Sequence, residues 1–346
     1  MTHDGFGPLS SQPLGYASVE VDPRFAKWRT GGIVFGIIAI VIGGLSGCLG
    51  LLVPLTLLAP QQQNRPAGAI IGALLLYVIV AVALIWLGVG AVKMRRWVRP
   101  LVLTLGTLIL VVGFWDLVAM AFWFPAIAKT TPGNGAAPAL SGGMIPISLV
   151  VAILMLGFML LIIPGAFVWF YKKQEMKEAL EYFDAVERWT DRCPIPVLGI
   201  VVTLICYVGV ALVALPQAML PVFGTVLFGL PAMAVDIVFA AAALVLAWLS
   251  FRRRPAGWWG TIGFVVVMAV AYLMTSVRSD QQDLYRTAGF TAQQLDMMSQ
   301  FRSRLPYGML ALQVSVPLLM IGYMIWVRRY FGDVEATGAT RPGSLG

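Results

Sequence analysis

The sequence predicts an all-α, polytopic integral membrane protein with eight transmembrane helices, and three observations predict it. Apolar residues make up 59% of the 346 and charged residues only 12%, where a soluble globular chain carries about 25% charge. Too little charge remains to cover a water-facing surface, which excludes a soluble enzyme. Eight stretches are long enough to cross a bilayer once, which takes about 20 apolar residues, and their only charged members are Asp116 and Asp236. Lys and Arg collect at the ends of those stretches and never inside them.

Taken in order, residues 1–30 read as a cytoplasmic tail, disordered through its Gly-, Pro- and Ser-rich segment 1–22. That segment has no Lys or Arg, and the first apolar run is longer than a signal-peptide core, so no cleaved signal is expected. The first membrane half, 31–171, holds spans at 31–58, 67–92, 101–128 and 144–171. Between the last two, 130–143 is a loop without pattern. Residues 172–194 form a cytoplasmic amphipathic linker, with Met176, Leu180, Phe183 and Val186 at helical spacing. Asp184 and Arg188 add an i,i+4 pair; the linker helix is expected to extend span four and join the halves. The second half, 195–327, holds spans at 195–215, 221–251, 255–277 and 307–327. Pro216 and Pro221 flank a hairpin between its first two spans. Thr291 with Gln294 resembles a capping box opening an outer amphipathic helix at 292–301. Residues 328–346 are a second cytoplasmic tail.

Orientation follows from the basic residues, which accumulate on the cytoplasmic side. With both termini inside, 18 of the 24 Lys and Arg residues face the cytoplasm. This same clustering accounts for the pI near 9.6 without nucleic acid. The halves also match in layout. Trp28 and Trp189 precede their first spans, Arg99-Pro100 and Arg254-Pro255 open their third, and Pro164 and Pro317 interrupt their fourth. Two readings stand: a parallel four-helix repeat about an axis along the membrane normal, or the common habit of membrane helices to end in Trp, Arg and Pro.

Composition narrows the chemistry. The one histidine, His3, lies in the N-terminal tail, which argues against haem ligation, zinc catalysis and a Ser-His-Asp triad. Cys48, Cys193 and Cys206 form no CxxC pair, so no disulfide framework, metal site or cofactor is expected. The candidates for a proton or cation site are Asp236 in span six and Asp116 in span three, each roughly 22 Å from the cytoplasmic end of its helix at about 1.5 Å per residue. An ionised carboxylate at bilayer depth costs about 2.5–3.5 kcal/mol, so each must be neutral, partnered or wet. The alternative for both is a protonated acid bonded to a neighbouring helix. Pro231 would break span six above Asp236 by leaving the Leu227 carbonyl unbonded, and broken helices often build transporter sites; prolines without such a role are also common in spans.

Gly32, Gly36, Gly43, Gly47 and Gly50 share one side of span one. They offer either a packing seam within the chain or a homo-oligomer interface. Arg95, Arg96 and Arg99, and likewise Arg252, Arg253 and Arg254, are candidates for contact with lipid headgroups, although orientation explains them equally.

The stretch Trp189-Thr-Asp-Arg-Cys-Pro-Ile-Pro-Val-Leu198 resembles a segment of uncharacterised bacterial multi-pass membrane proteins. Arg96-Trp-x-Arg-Pro100 and Ala288-Gly-Phe-Thr291 are similar to elements of the same group. The resemblance implies a bacterial plasma membrane location and carries no activity or site residues. Two functions are therefore expected in competition. One is a non-enzymatic accessory or assembly protein, working through a membrane-protein partner and the linker. The other is a proton- or cation-coupled small-solute transporter using Asp236, with Asp116. An aspartyl intramembrane hydrolase is a distant third, because neither acid has the Gly-x-Gly-Asp context. A transporter would line one cavity with both acids; an assembly protein would bury them singly.

Overall fold

The structure, a computed structural model, describes residues 22–58, 67–130, 147–217, 219–278 and 306–331. Most of the expected loop at 130–143 and the outer helix expected at 292–301 lie outside these. Among the described residues, seven helices are long and apolar enough to cross a membrane. Their outward faces carry exposed Leu, Ile and Val, such as Leu51, Val82, Val238 and Leu230, the surface that lipid rather than water would cover. The chain is an all-α, multi-pass membrane protein.

Helix α1 (Pro23–Leu52) starts inside the segment expected to be a tail, before the apolar run at Gly31. Asp22 caps it, its Oδ1 accepting from the Arg24 amide at 2.9 Å, and Pro23 takes a first-turn position where no N–H is needed. Hydrogen bonds from the Arg24 side chain and amide hold the Asp22 carboxyl below its usual range. Helix α2 (Ala67–Val92) occupies the expected residues and covers the glycine stripe of α1. A Cβ on Gly36 would stand 2.8 Å from the Gly88 carbonyl oxygen, and one on Gly88 would stand 2.7 Å from that of Gly36. The stripe is a packing seam within the chain, and the face it would offer to a second copy is occupied by α2.

Helix α3 (Val98–Thr130) packs on a long broken helix made of α4 (Ile147–Gly157), a π-helical turn (Phe158–Ile162) and α5 (Ile163–Lys172). The turn has a cause in sequence. Pro164 has no N–H to offer the Leu160 carbonyl, and a π turn absorbs the mismatch. Gly113 of α3 packs here, where a Cβ would meet Leu160 Cβ at 2.6 Å and its carbonyl oxygen at 3.0 Å.

The linker differs from its expected form. Lys173 is extended (φ −63°, ψ 141°), so α6 (Gln174–Phe183) does not continue α5. It folds back onto α1, burying Met176, Ala179 and Leu180 among Phe35, Phe170 and Tyr171. Residues 184–188 leave the helix, Val186 is exposed, and one further turn, α7 (Trp189–Arg192), precedes α8 (Ile195–Ala214).

Span six is also corrected. Residues 221–228, expected to begin it, instead belong to an antiparallel hairpin, β1 (Met219–Val222) with β2 (Thr225–Phe228), which lies later than the hairpin expected at 216–221. Phe223 (φ 47°) and Gly224 (φ 88°) make its two-residue turn, both in the left-handed region such hairpins require. The Thr275 hydroxyl accepts from the Gly224 amide at 3.1 Å and ties the hairpin to α10. Helix α9 (Leu230–Phe251) starts only after it. Pro231 is thus in the first turn and breaks nothing, because Leu227 belongs to β2. Helices α10 (Pro255–Arg278) and α11 (Pro306–Val327) complete the second half; α11 keeps Pro317 in its interior.

Helix α8 is the keystone of the arrangement. It packs against α9 in its own half and against α2 and α3 in the other, and supplies Val197, Leu198, Ile200, Val201, Val202 and Leu204 to the largest buried cluster. Helices α2 and α9 stop in the same way. The amides of Met94 and Arg95 bond to Ala91 and Gly90 carbonyls, and those of Arg253 and Arg254 to Ser250 and Leu249. Both form Schellman turns with a non-glycine left-handed residue, Met94 at φ 49° and Arg253 at φ 55°.

Candidate functional site

Asp236 sits on the stripe of α9 that carries Ala232, Ala243, Ala247 and Ser250, all buried. Small side chains there bring α9 close to α8, and Asp236 is buried with them at 6% exposure. Tyr207 on α8 lies within electrostatic reach of its carboxyl. The Tyr207 hydroxyl itself points to the Met268 sulfur of α10, at 3.9 Å. Among the described residues, no hydrogen bond to the carboxyl is present and no basic side chain faces it.

Asp116 has a different setting. It is exposed on α3, beside exposed Phe114, Val111 and Val112. The two acids do not share a site. Asp116 belongs to α3, which packs on α5 and α8, and Asp236 to α9, which packs on α8 and α10, and the first is exposed where the second is buried.

The most organised polar group lies at the basic end of the helices, around a residue that spacing had placed in a simple helical pair. Asp184 is a buried carboxylate, 4% exposed. Its Oδ2 accepts from the Arg96 amide at 3.3 Å, and its Oδ1 faces Arg95 Nη1 at 3.6 Å. Arg188 Nε stands 3.9 Å away, in range for charge attraction but too far for a hydrogen bond. Beside it, Arg96 Nη2 donates to Glu181 at 3.4 Å, and Arg99 Nε to the Tyr171 carbonyl at 3.0 Å. One carboxylate thereby holds the α2–α3 turn against the linker between the halves.

No family model, curated protein or solved structure matches the chain. Its chemistry rests on the geometry of its own residues.

The two arginine loops, alike in sequence, differ in use. Arg95, Arg96 and Arg99 are engaged within the protein as above. Arg252 instead lies over the Trp248 ring at 4.6 Å, and neither it nor Arg254 forms an ion pair with a described residue. Close by, burial pushes the Cys193 thiol up to about 11, with the Arg253 charge opposing. A thiolate fraction near 0.1% at pH 8 follows. Cys193 alkylation by a permeant reagent should therefore be slow at pH 8 and rise about tenfold per pH unit to pH 10. A rate levelling off near pH 9, read by intact mass, would show an ordinary thiol.

Proposed function

We propose that the chain is a non-enzymatic accessory or assembly protein of a bacterial plasma membrane. It crosses the bilayer eight times, α11 being the eighth span, with both termini in the cytoplasm. The observation that carries this reading is the contrast between the two intramembrane acids, Asp236 buried with no hydrogen-bond partner among the described residues and Asp116 exposed. Asp236 on an alanine stripe suits a protonated packing residue. An exposed carboxyl in a span suits contact with a polar group of another membrane protein. This chain places no Lys or Arg within its spans, so a second copy has no charge complement to offer. The linker adds an exposed strip of Glu178, Tyr182, Val186 and Trp189 on the cytoplasmic side. The matching Schellman turns after α2 and α9 support a parallel repeat of four spans.

One observation favours the transport reading: the unpartnered burial of Asp236 next to Tyr207. The readings separate by Asp236→Cys in a chain lacking Cys48, Cys193 and Cys206, treated with a membrane-impermeant thiol reagent from each side. No labelling is expected, with the variant folded by thermal melting. Labelling from either side would put position 236 in an aqueous pathway and favour transport.

A further inference from the structure

The contrast between the two arginine loops carries an inference that does not depend on the assembly reading. At the basic end of α9, α10 and α11, four arginines are exposed: Arg252, Arg254, Arg328 and Arg329. Among the described residues none of them meets a carboxylate, whereas every arginine of the α2–α3 turn is held by the protein. Three of the four lie over aromatic rings. Arg252 is 4.6 Å from Trp248, Arg328 is 5.5 Å from Trp258, and Arg329 is 4.8 Å from Trp326. The Trp258 ring is anchored in turn, since its Nε1 donates to the Met324 carbonyl at 2.7 Å and joins α10 to α11. Trp248, Trp259 and Trp326 are themselves exposed, as interfacial tryptophans are at headgroup level. A guanidinium stacked on indole is steadied in orientation while its N–H edge stays open, and that edge matches two oxygens of a phosphate.

We propose that this surface binds the phosphodiester headgroups of anionic phospholipids, and that the α2–α3 turn does not. The exposed tryptophans choose lipid over a soluble phosphate, because they hold the arginines at the depth where headgroups lie.

The test uses the full chain in neutral detergent, with phosphatidylglycerol and phosphatidylcholine added in turn and bound lipid counted by native mass spectrometry. Three chains are compared: the unmodified one, Arg254→Gln/Arg328→Gln/Arg329→Gln, and the charge-matched Lys27→Gln/Lys93→Gln/Lys172→Gln on the first half. The arginine triple is expected to lose phosphatidylglycerol preference about tenfold or more, at about one basic contact per lost residue, and the lysine triple less than threefold. Equal loss in both triples, or none in the arginine triple, overturns the proposal. Full competition by millimolar inorganic phosphate would assign the surface to a soluble anion and overturn it as well. If the triple fails to fold, Arg252→Gln and Arg329→Gln singly should each reduce the preference measurably, and no change in either overturns it.

Discussion

Gly88→Leu should prevent the native α1–α2 pair from forming, and Gly88→Ala should lower stability by about 2–3 kcal/mol. A methyl on Gly88 would stand 2.7 Å from the Gly36 carbonyl oxygen and 3.0 Å from the Ile40 amide nitrogen, so backbone must move and not merely a rotamer. Gly36→Ala faces the same collision from the other side, 2.8 Å from the Gly88 carbonyl oxygen. The two changes should therefore be less than additive, since one separation of the helices relieves both. Gly44 is the internal control. It belongs to the same helix, but a Cβ there would meet nothing within 4 Å, and Gly44→Ala should leave the melting temperature unchanged. Thermal unfolding followed by circular dichroism in one detergent decides this. A Gly88→Ala protein as stable as the parent would mean that the two helices do not approach so closely.

Asp184→Ala is the second large effect. The change removes a buried acceptor from the Arg96 amide and leaves Arg95 and Arg188 without their shared carboxylate. Breaking a charged hydrogen bond costs about 1.5–3 kcal/mol. The ion pairs add little, because Arg95 and Arg188 are 43% and 38% exposed and water screens them. A loss of about 2 kcal/mol is expected. Asp184→Asn keeps an oxygen for the Arg96 amide and should lose about half of that. Limited proteolysis gives a separate readout: cleavage within 184–188 should rise in the alanine variant ahead of global unfolding. Unchanged proteolysis with unchanged stability would mean that Asp184 does not hold the turn.

Long-range consequences of this kind explain what sequence spacing could and could not convey. Helix α2 was legible to its end residues because apolar length alone defines it. The start of α1 was missed because an apolar-run criterion begins at Gly31, although Asp22-Pro23 is a cap followed by a first-turn proline and marks the true start. A hairpin before α9 was expected, but at 216–221; most of the observed one, 221–228, was read as helix because it is as apolar as a span. Its signal was Phe223-Gly224 between β-favouring residues, and it also converted Pro231 from a break into a start. Of the Asp184 arrangement, only the Arg188 partner four residues on had a local signal. The partners Arg95 and Arg96 lie in another loop, and only the fold of α6 against α1 brings them together. The acids themselves were found, but that one is buried on α9 and the other exposed on α3 depends on helix packing that no spacing rule places.

The position of α8 has a consequence for how the chain is made. Helices α2 and α3 rest against a helix that follows the whole linker. At synthesis rates of about 5–20 residues per second, they wait in the bilayer for on the order of ten seconds before that helix is made. During that interval the first half is a hairpin pair with an unfilled side, exposed to whatever else is inserting nearby. A chain stopped after Arg192 would keep that vacancy permanently, and a separately expressed second half would be able to fill it. The joint between the halves is thus a timing element of biogenesis as well as a packing surface.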